Sequence, residues 1–182
     1  MRLQPRPISR DICDRPATDL APLLIGAMLV IRGAGGIIIE TEAYRRDDPA
    51  SHSHRGPSLR NRAMFGPAGT AYVYRSYGIH LCLNVVAQEG EAVLIRSILP
   101  QLGLDLMASR RAPPYGTGPG RVGRSLGITL DDNGRAFDGE DFSIHLAVER
   151  PALICGPRIG ITKAVDLPWR FVLQYVAATR FG

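Results

Sequence analysis

The chain has 182 residues, 45% of them hydrophobic and 21% charged, with no repeat or heptad run. That suits one globular domain with its own core and argues against a disordered or fibrous protein. The formal charge is +5, from 22 Lys+Arg against 17 Asp+Glu, which is compatible with nucleic acid but not diagnostic of it.

Residues 1–16 are polar and proline-bearing and read as a loose arm before a single domain over 17–182. Thr18 is positioned to cap a short helix through Leu24, with Gly26 near its end. Met28–Arg32 and Gly36–Thr41 read as strands around a Gly33-Ala34-Gly35-Gly36 turn. The apolar run Ala21–Ile31 is too short to span a bilayer, and the opening residues carry no apolar signal core. A cytoplasmic protein is expected, nucleoid-associated if the source is bacterial, with no membrane contact.

Residues 45–57 read as loop, Ser58 as the cap of a short helix to Phe65, and Gly66-Pro67-Ala68-Gly69 as a turn. Thr70–Tyr74, Ile79–Val86 and Ala92–Leu99 are strands rich in Val, Ile, Leu and Tyr. Leu102–Arg111 looks helical, and 112–120 is a Pro/Gly-rich loop, the one candidate domain boundary. Arg121–Leu126 is a short helix stopped by Gly127, and 131–134 is a turn. Phe142–Val148, Arg158–Thr162 and Trp169–Tyr175 are further strands. Short connections favour an α+β fold: a mainly antiparallel sheet with short flanking helices.

Chemistry concentrates in one stretch. From Pro49 to Gln88 there is no acidic residue, while Arg55, Arg60, Arg62, Arg75, His52, His54, His80, Tyr72, Tyr74 and Tyr77 all fall there. Arginine among aromatics is the composition of a surface that neutralises phosphates and stacks bases. Tyr72 alone is explained as well by strand propensity. Lys163 is the one lysine and the other 21 basic residues are arginine, which genome composition also explains. Just upstream, Ile37-Ile38-Ile39-Glu40-Thr41-Glu42-Ala43-Tyr44 alternates as a strand, so Glu40, Glu42 and Tyr44 share a face. Two carboxylates on an apolar strand suit acid–base work, and a solvated strand end is the plain alternative.

No metal is expected. Cys13, Cys82 and Cys155 form no C-x-x-C pair, and His52-Ser53-His54 sits among loop-forming residues. A P-loop, a dinucleotide fingerprint and H-E-x-x-H are all lacking. Gly118-Pro119-Gly120-Arg121 opening a helix is a weak phosphate-binding signal.

Taken together, GIIIETEAYRRDDPASHSHRG, RNRAMFGPAGTAYVYRSYGIHLCLNVV and VLIRSILP resemble the alkyladenine (3-methyladenine) DNA glycosylase family. GPGRVGRSLGI, RIGI and LPWRF follow in the family's order, so the resemblance runs from Leu20 to Phe171. It implies one α+β domain on a curved sheet, without metal or organic cofactor. A monomer would act on double-stranded DNA, flip out an alkylated or deaminated purine, and cut its glycosidic bond in base excision repair.

The resemblance makes Glu42 the base that activates water. It makes Tyr44, His52 and Tyr74 the cage around the flipped base, Tyr77 a wedge in the duplex, and Asn84 a filter on which purines fit. Arg96 would lie near the water or the DNA backbone. The ending FVLQYVAATRFG departs from the family's closing pattern, and His80 stands where some relatives carry tyrosine. Two rivals share these residues: a non-catalytic damage binder, and a metal hydrolase built on Glu40, Glu42, His52 and His54.

Overall fold

A computed structural model describes residues 6–175. The frame is one antiparallel sheet built around five strands. These are β2 (Met28–Ile31), β3 (Ala34–Tyr44), β4 (Ala71–Ser76), β5 (His80–Val86) and β6 (Ala92–Leu102). With β1 (Arg6–Pro7) and β7 (Phe142–Leu146) the order is β1-β7-β2-β3-β6-β5-β4. Two further strands, β8 (Leu153–Gly156) and β9 (Arg170–Leu173), join where β9 pairs with β3.

The central strand has a divided edge. The first part of β3 pairs with β2, Glu40 to Glu42 pair with β9, and the opposite edge pairs with β6. The β2–β3 hairpin closes through Arg32 and Gly33, both at positive φ, as a two-residue turn requires when its twist matches the strands. Beyond it the strands approach closely: a Cβ on Gly36 would lie 2.4 Å from the Leu99 carbonyl oxygen.

Alternation gives the sheet two different faces. Val73, Leu83, Val85, Val93, Ile95, Ile38 and Ala43 enter the main core. There they meet residues of α2 (Ala17–Leu23) and α4 (Pro119–Leu126), with Met107 of α3 (Leu104–Arg110) and the stacked rings of Phe137 and Phe142. Each fully buried Leu, Ile, Val or Phe contributes on the order of 1.5–3 kcal/mol. The opposite face presents Tyr72, Tyr74, Cys82, Asn84, Leu94 and Arg96, and it carries the site.

The curled antiparallel sheet with few short helices matches the α+β expectation. Several local expectations need correction. Residues 158–162 form no strand; Pro157 and Gly160, at φ +77°, interrupt the chain, and Leu153–Gly156 pairs with β9 instead. The helix expected from Ser58 to Phe65 is a 3-10 turn over Arg62–Phe65, because the Asn61 side chain takes up the Ser58 donors. Leu102 ends β6, and Gly103, at φ +66°, breaks the chain before α3.

The 112–120 loop is stitched to β6, with Ile98 N donating to the Gly116 carbonyl. Of the segment 1–16, residues from Arg6 on carry β1 and α1 (Arg10–Cys13), and Ile8 and Cys13 reach the core. The divergent ending beyond residue 175 lies outside the described residues.

Candidate active site

The site is a row structure across four strands. Register places Glu42 of β3 opposite Leu94, Leu94 opposite Asn84, and Asn84 opposite Tyr72. The neighbouring rows align Tyr44 with Ala92 and Tyr74 with Cys82. Side chains on one face of such rows stand close enough to form a continuous wall. Here they floor a cavity of about 620 Å³, within the usual size for a small-molecule site. The loop after β3 adds Pro49 to His52, and the segment after β8 adds Ile159 to Lys163.

Tyr44, His52, Tyr74, Asn84 and Arg96 all line this cavity, and Tyr77 stands at the tip of the β4–β5 hairpin beside it. The His52 and Tyr74 rings meet edge-on at 4.6 Å and 81°. His52 Nδ1 lies 2.8 Å from the Tyr72 hydroxyl. His52 as a residue is exposed, but partial desolvation of its ring against the tyrosines, with the nearby Arg60 charge, holds the imidazole less basic than usual. Burial also raises the Tyr72 hydroxyl to about 12 and pushes those of Tyr44 and Tyr74 higher still, so the phenols stay protonated. Asn84 is buried and donates from Nδ2 to the Tyr72 carbonyl at 2.9 Å.

Glu42 is fully buried, one layer behind the wall. Its Oε2 accepts from the Tyr44 hydroxyl at 2.7 Å. Its Oε1 accepts from Ile159 N at 2.8 Å and pairs with Arg96 Nη1 at 3.3 Å. Tyr44, Ile159 and Arg96 themselves face the cavity. A carboxylate offers about four acceptor positions, and these contacts with described residues use three of them.

Glu40 shares Arg96 with it, at 3.2 Å from Nε, and also binds Ser97 Oγ at 2.7 Å and Arg170 Nη1 at 3.2 Å. Burial alone would raise its carboxyl, but the Ser97 hydroxyl with Arg96 and Arg170 outweighs that and holds it below the ordinary range. Glu40, Glu42 and Tyr44 therefore share a face, as strand alternation predicts, but their carboxylates are met by guanidinium groups. Among the described residues no group of three or more His, Cys, Asp or Glu converges as metal ligands; His54 lines a separate surface pocket with Arg45 and Arg46.

The structure adds residues that sequence reasoning passed over. Tyr72, explained as a strand tyrosine, positions His52; its parity with Tyr74 in YVY was the available signal. Ile159 supplies a backbone donor, which no residue type reveals. Lys163, the one lysine, also lines the cavity.

An aromatic-lined chamber with a carboxylate bonded to its lining suits hydrolysis of a bond to a planar ring system, and comparison with known proteins gives the family. The family description Methylpurine-DNA glycosylase matches residues 11–176. A Rhodopseudomonas palustris protein is 54% identical over 167 residues, 88% of this chain and 81% of its own. Proteins of Nitrosospira multiformis and Rhizobium meliloti are 51% and 49% identical, covering 86% and 90% of this chain and 85% and 90% of theirs. All three are described provisionally as 3-methyladenine DNA glycosylases. The chain belongs to the methylpurine-DNA glycosylase family. It is a DNA glycosylase, and its family is one of hydrolases that act on alkylated purines. No helix among the described residues is long and apolar enough to cross a membrane.

Proposed function

We propose that this chain is a monofunctional, monomeric glycosylase that rotates a damaged purine out of duplex DNA into the cavity. It then hydrolyses the N-glycosidic bond with water activated by Glu42. The observation that carries the reading is the Glu42 carboxylate bonded to Tyr44, Ile159 and Arg96, all of which line the cavity together with His52, Tyr72 and Tyr74. A base inside a helix is unreachable, so extrusion is obligatory and costs a few kcal/mol.

A purine alkylated at N3 or N7 is cationic. That makes it a good leaving group and draws it to aromatic faces by about 0.5–2 kcal/mol. A less basic His52 leaves the cage uncharged toward such a base. Proton transfer to a positioned carboxylate supplies roughly a further 10²–10⁴-fold. The water takes an acceptor position on Glu42 Oε2. Arg96 and the Ile159 amide fix the other oxygen, so the carboxylate cannot rotate away. Asn84 narrows the chamber against some purines, and Tyr77 fills the gap left in the stack. Deaminated adenine, hypoxanthine, is a second substrate; it carries no charge and depends more on Glu42.

The test is direct. Incubating alkylated DNA and a hypoxanthine-containing duplex with the protein should release free methylated purines and hypoxanthine and leave unbroken abasic strands. Release of bases from alkylated DNA alone would remove hypoxanthine from the reading, and release of none would make the protein a damage binder.

A further inference from the structure

Two buried residues outside the cavity tie its walls together. Arg158 and Asp48 are both fully buried at the side chain, and they form a two-pronged pair. The second prong, from Arg158 Nη2 to Asp48 Oδ1, is 3.1 Å. Asp48 sits in the loop that delivers His52, while Arg158 immediately precedes Ile159. Arg158 Nη1 also donates to the Ala43 carbonyl at 3.0 Å. Its guanidinium carbon lies 4.7 Å from the centre of the Tyr44 ring and 5.2 Å from that of Trp169. Ala43 N in turn donates to the Trp169 carbonyl at 2.8 Å.

One side chain thus touches the residue between Glu42 and Tyr44, one face of Tyr44, and the loop behind His52. Its chain neighbour holds Glu42 itself. A buried ion pair is a poor way to gain stability, since stripping water from both charges cancels most of the attraction. It is a good way to fix geometry, because a planar fork makes several directed bonds at once.

We propose that Arg158, braced by Asp48, is a positioning residue for excision. It holds Tyr44, whose hydroxyl donates to Glu42, and Ile159, whose amide donates to the same carboxylate, and so keeps that carboxylate set for the attacking water. This rests on reading Glu42 as the base. Lysine cannot replace it: a point charge cannot grip Asp48 at two oxygens, reach Ala43 and lie against Tyr44 together.

The experiment measures single-turnover release of 7-methylguanine from alkylated duplex DNA, and binding to a duplex carrying a tetrahydrofuran abasic-site analogue. Arg158→Lys should slow release by about 10-fold or more and leave analogue binding within about threefold. Asp48→Asn should act in the same direction by a smaller factor. In a Glu42→Gln background, Arg158→Lys should add less than about twofold, because the group it positions is already gone. Hydrogen exchange at the Ile159 amide should quicken in both Arg158→Lys and Asp48→Asn. If Arg158→Lys melts outright, Asp48→Asn carries the same comparisons, since it keeps size and shape.

Wild-type release by Arg158→Lys would overturn the proposal. So would losses that multiply fully with Glu42→Gln, or a loss confined to binding. Glu42→Gln that excises normally would instead sink the base assignment, whatever Arg158 does.

Discussion

Tyr77 offers the sharpest prediction about how DNA is engaged. It occupies the first central position of a turn in which Ile79 N donates to the Ser76 carbonyl at 3.0 Å. Its φ is +49° and that of Gly78 is +71°. Left-handed backbone suits Gly78 and strains Tyr77 by about 1 kcal/mol or more. Tyr77 is 87% exposed, and Ile79 beside it is 72% exposed, so neither repays that strain through the core. Tyr77→Ala therefore removes almost no packing, and the melting temperature should stay close to wild type. Tyr77→Gly should match or exceed wild-type stability, because the strain disappears.

Excision should tell the opposite story. If the ring replaces the extruded base in the stack, its loss costs about 1–3 kcal/mol, or about 5- to 150-fold in flipping. The loss should be larger for hypoxanthine opposite cytosine, its better partner, than opposite thymine, because a poorly paired base is cheaper to extrude. Single-turnover excision from the two duplexes by wild type and Tyr77→Ala makes the comparison. Equal losses in both, or no loss in either from a normally melting variant, would refute the wedge.

Other expectations follow from the same geometry. Arg55, Arg60, Arg62 and Arg75 are all exposed, so if each meets a phosphate, log K for undamaged DNA should fall against log salt with a slope of about −3 to −4; a flat plot would turn this face away from DNA. Tyr72→Phe deletes the 2.8 Å partner of His52 and should slow excision by about 2- to 10-fold, while an unchanged rate would make that bond structural only. Folding lowers the His52 value, through partial desolvation and then Arg60, so stability is highest above the unfolded imidazole range and declines as pH falls through it, by a small amount because His52 is exposed. Excision of cationic bases should weaken over the same window, and His52→Gln should flatten that dependence; a profile unchanged by the substitution would remove His52 from it. Borohydride should trap no protein–DNA adduct despite Lys163 at the cavity, and a trapped adduct would replace water with an amine as the nucleophile.

How far the residues alone reveal this depends on the kind of feature. The strands from Ala71 to Leu102 show in period-two patterning, and the same alternation separates the core face from the Tyr72, Tyr74, Asn84 and Arg96 face. Gly127 shows as a helix stop because a left-handed cap, here at φ +68°, favours glycine. Short-range signals fail where long-range pairing decides. Arg158–Thr162 carries strand-forming residues, yet β9 takes Leu153–Gly156 as its partner. Ser58 resembles a helix cap, yet Asn61 captures it.

The same limit applies to the site. Glu42 and Tyr44 lie two apart on one strand, so their pairing is legible. Arg158 and Asp48 are separated by 110 positions, and neither stands in a patterned motif that announces its partner. Ile159 contributes through a backbone amide, which its side chain does not advertise.

Most depends on the proposed role of the Glu42 carboxylate in activating the attacking water. Glu42→Gln keeps the shape of the side chain and its place behind Tyr44 while removing the basic oxygen. Single-turnover release of hypoxanthine, beside binding to an abasic-analogue duplex, tests that role most directly. Binding should stay close to wild type and release should slow by about 10²-fold or more. Near-normal release would contradict that role and move attention to Glu40, the other carboxylate on Arg96.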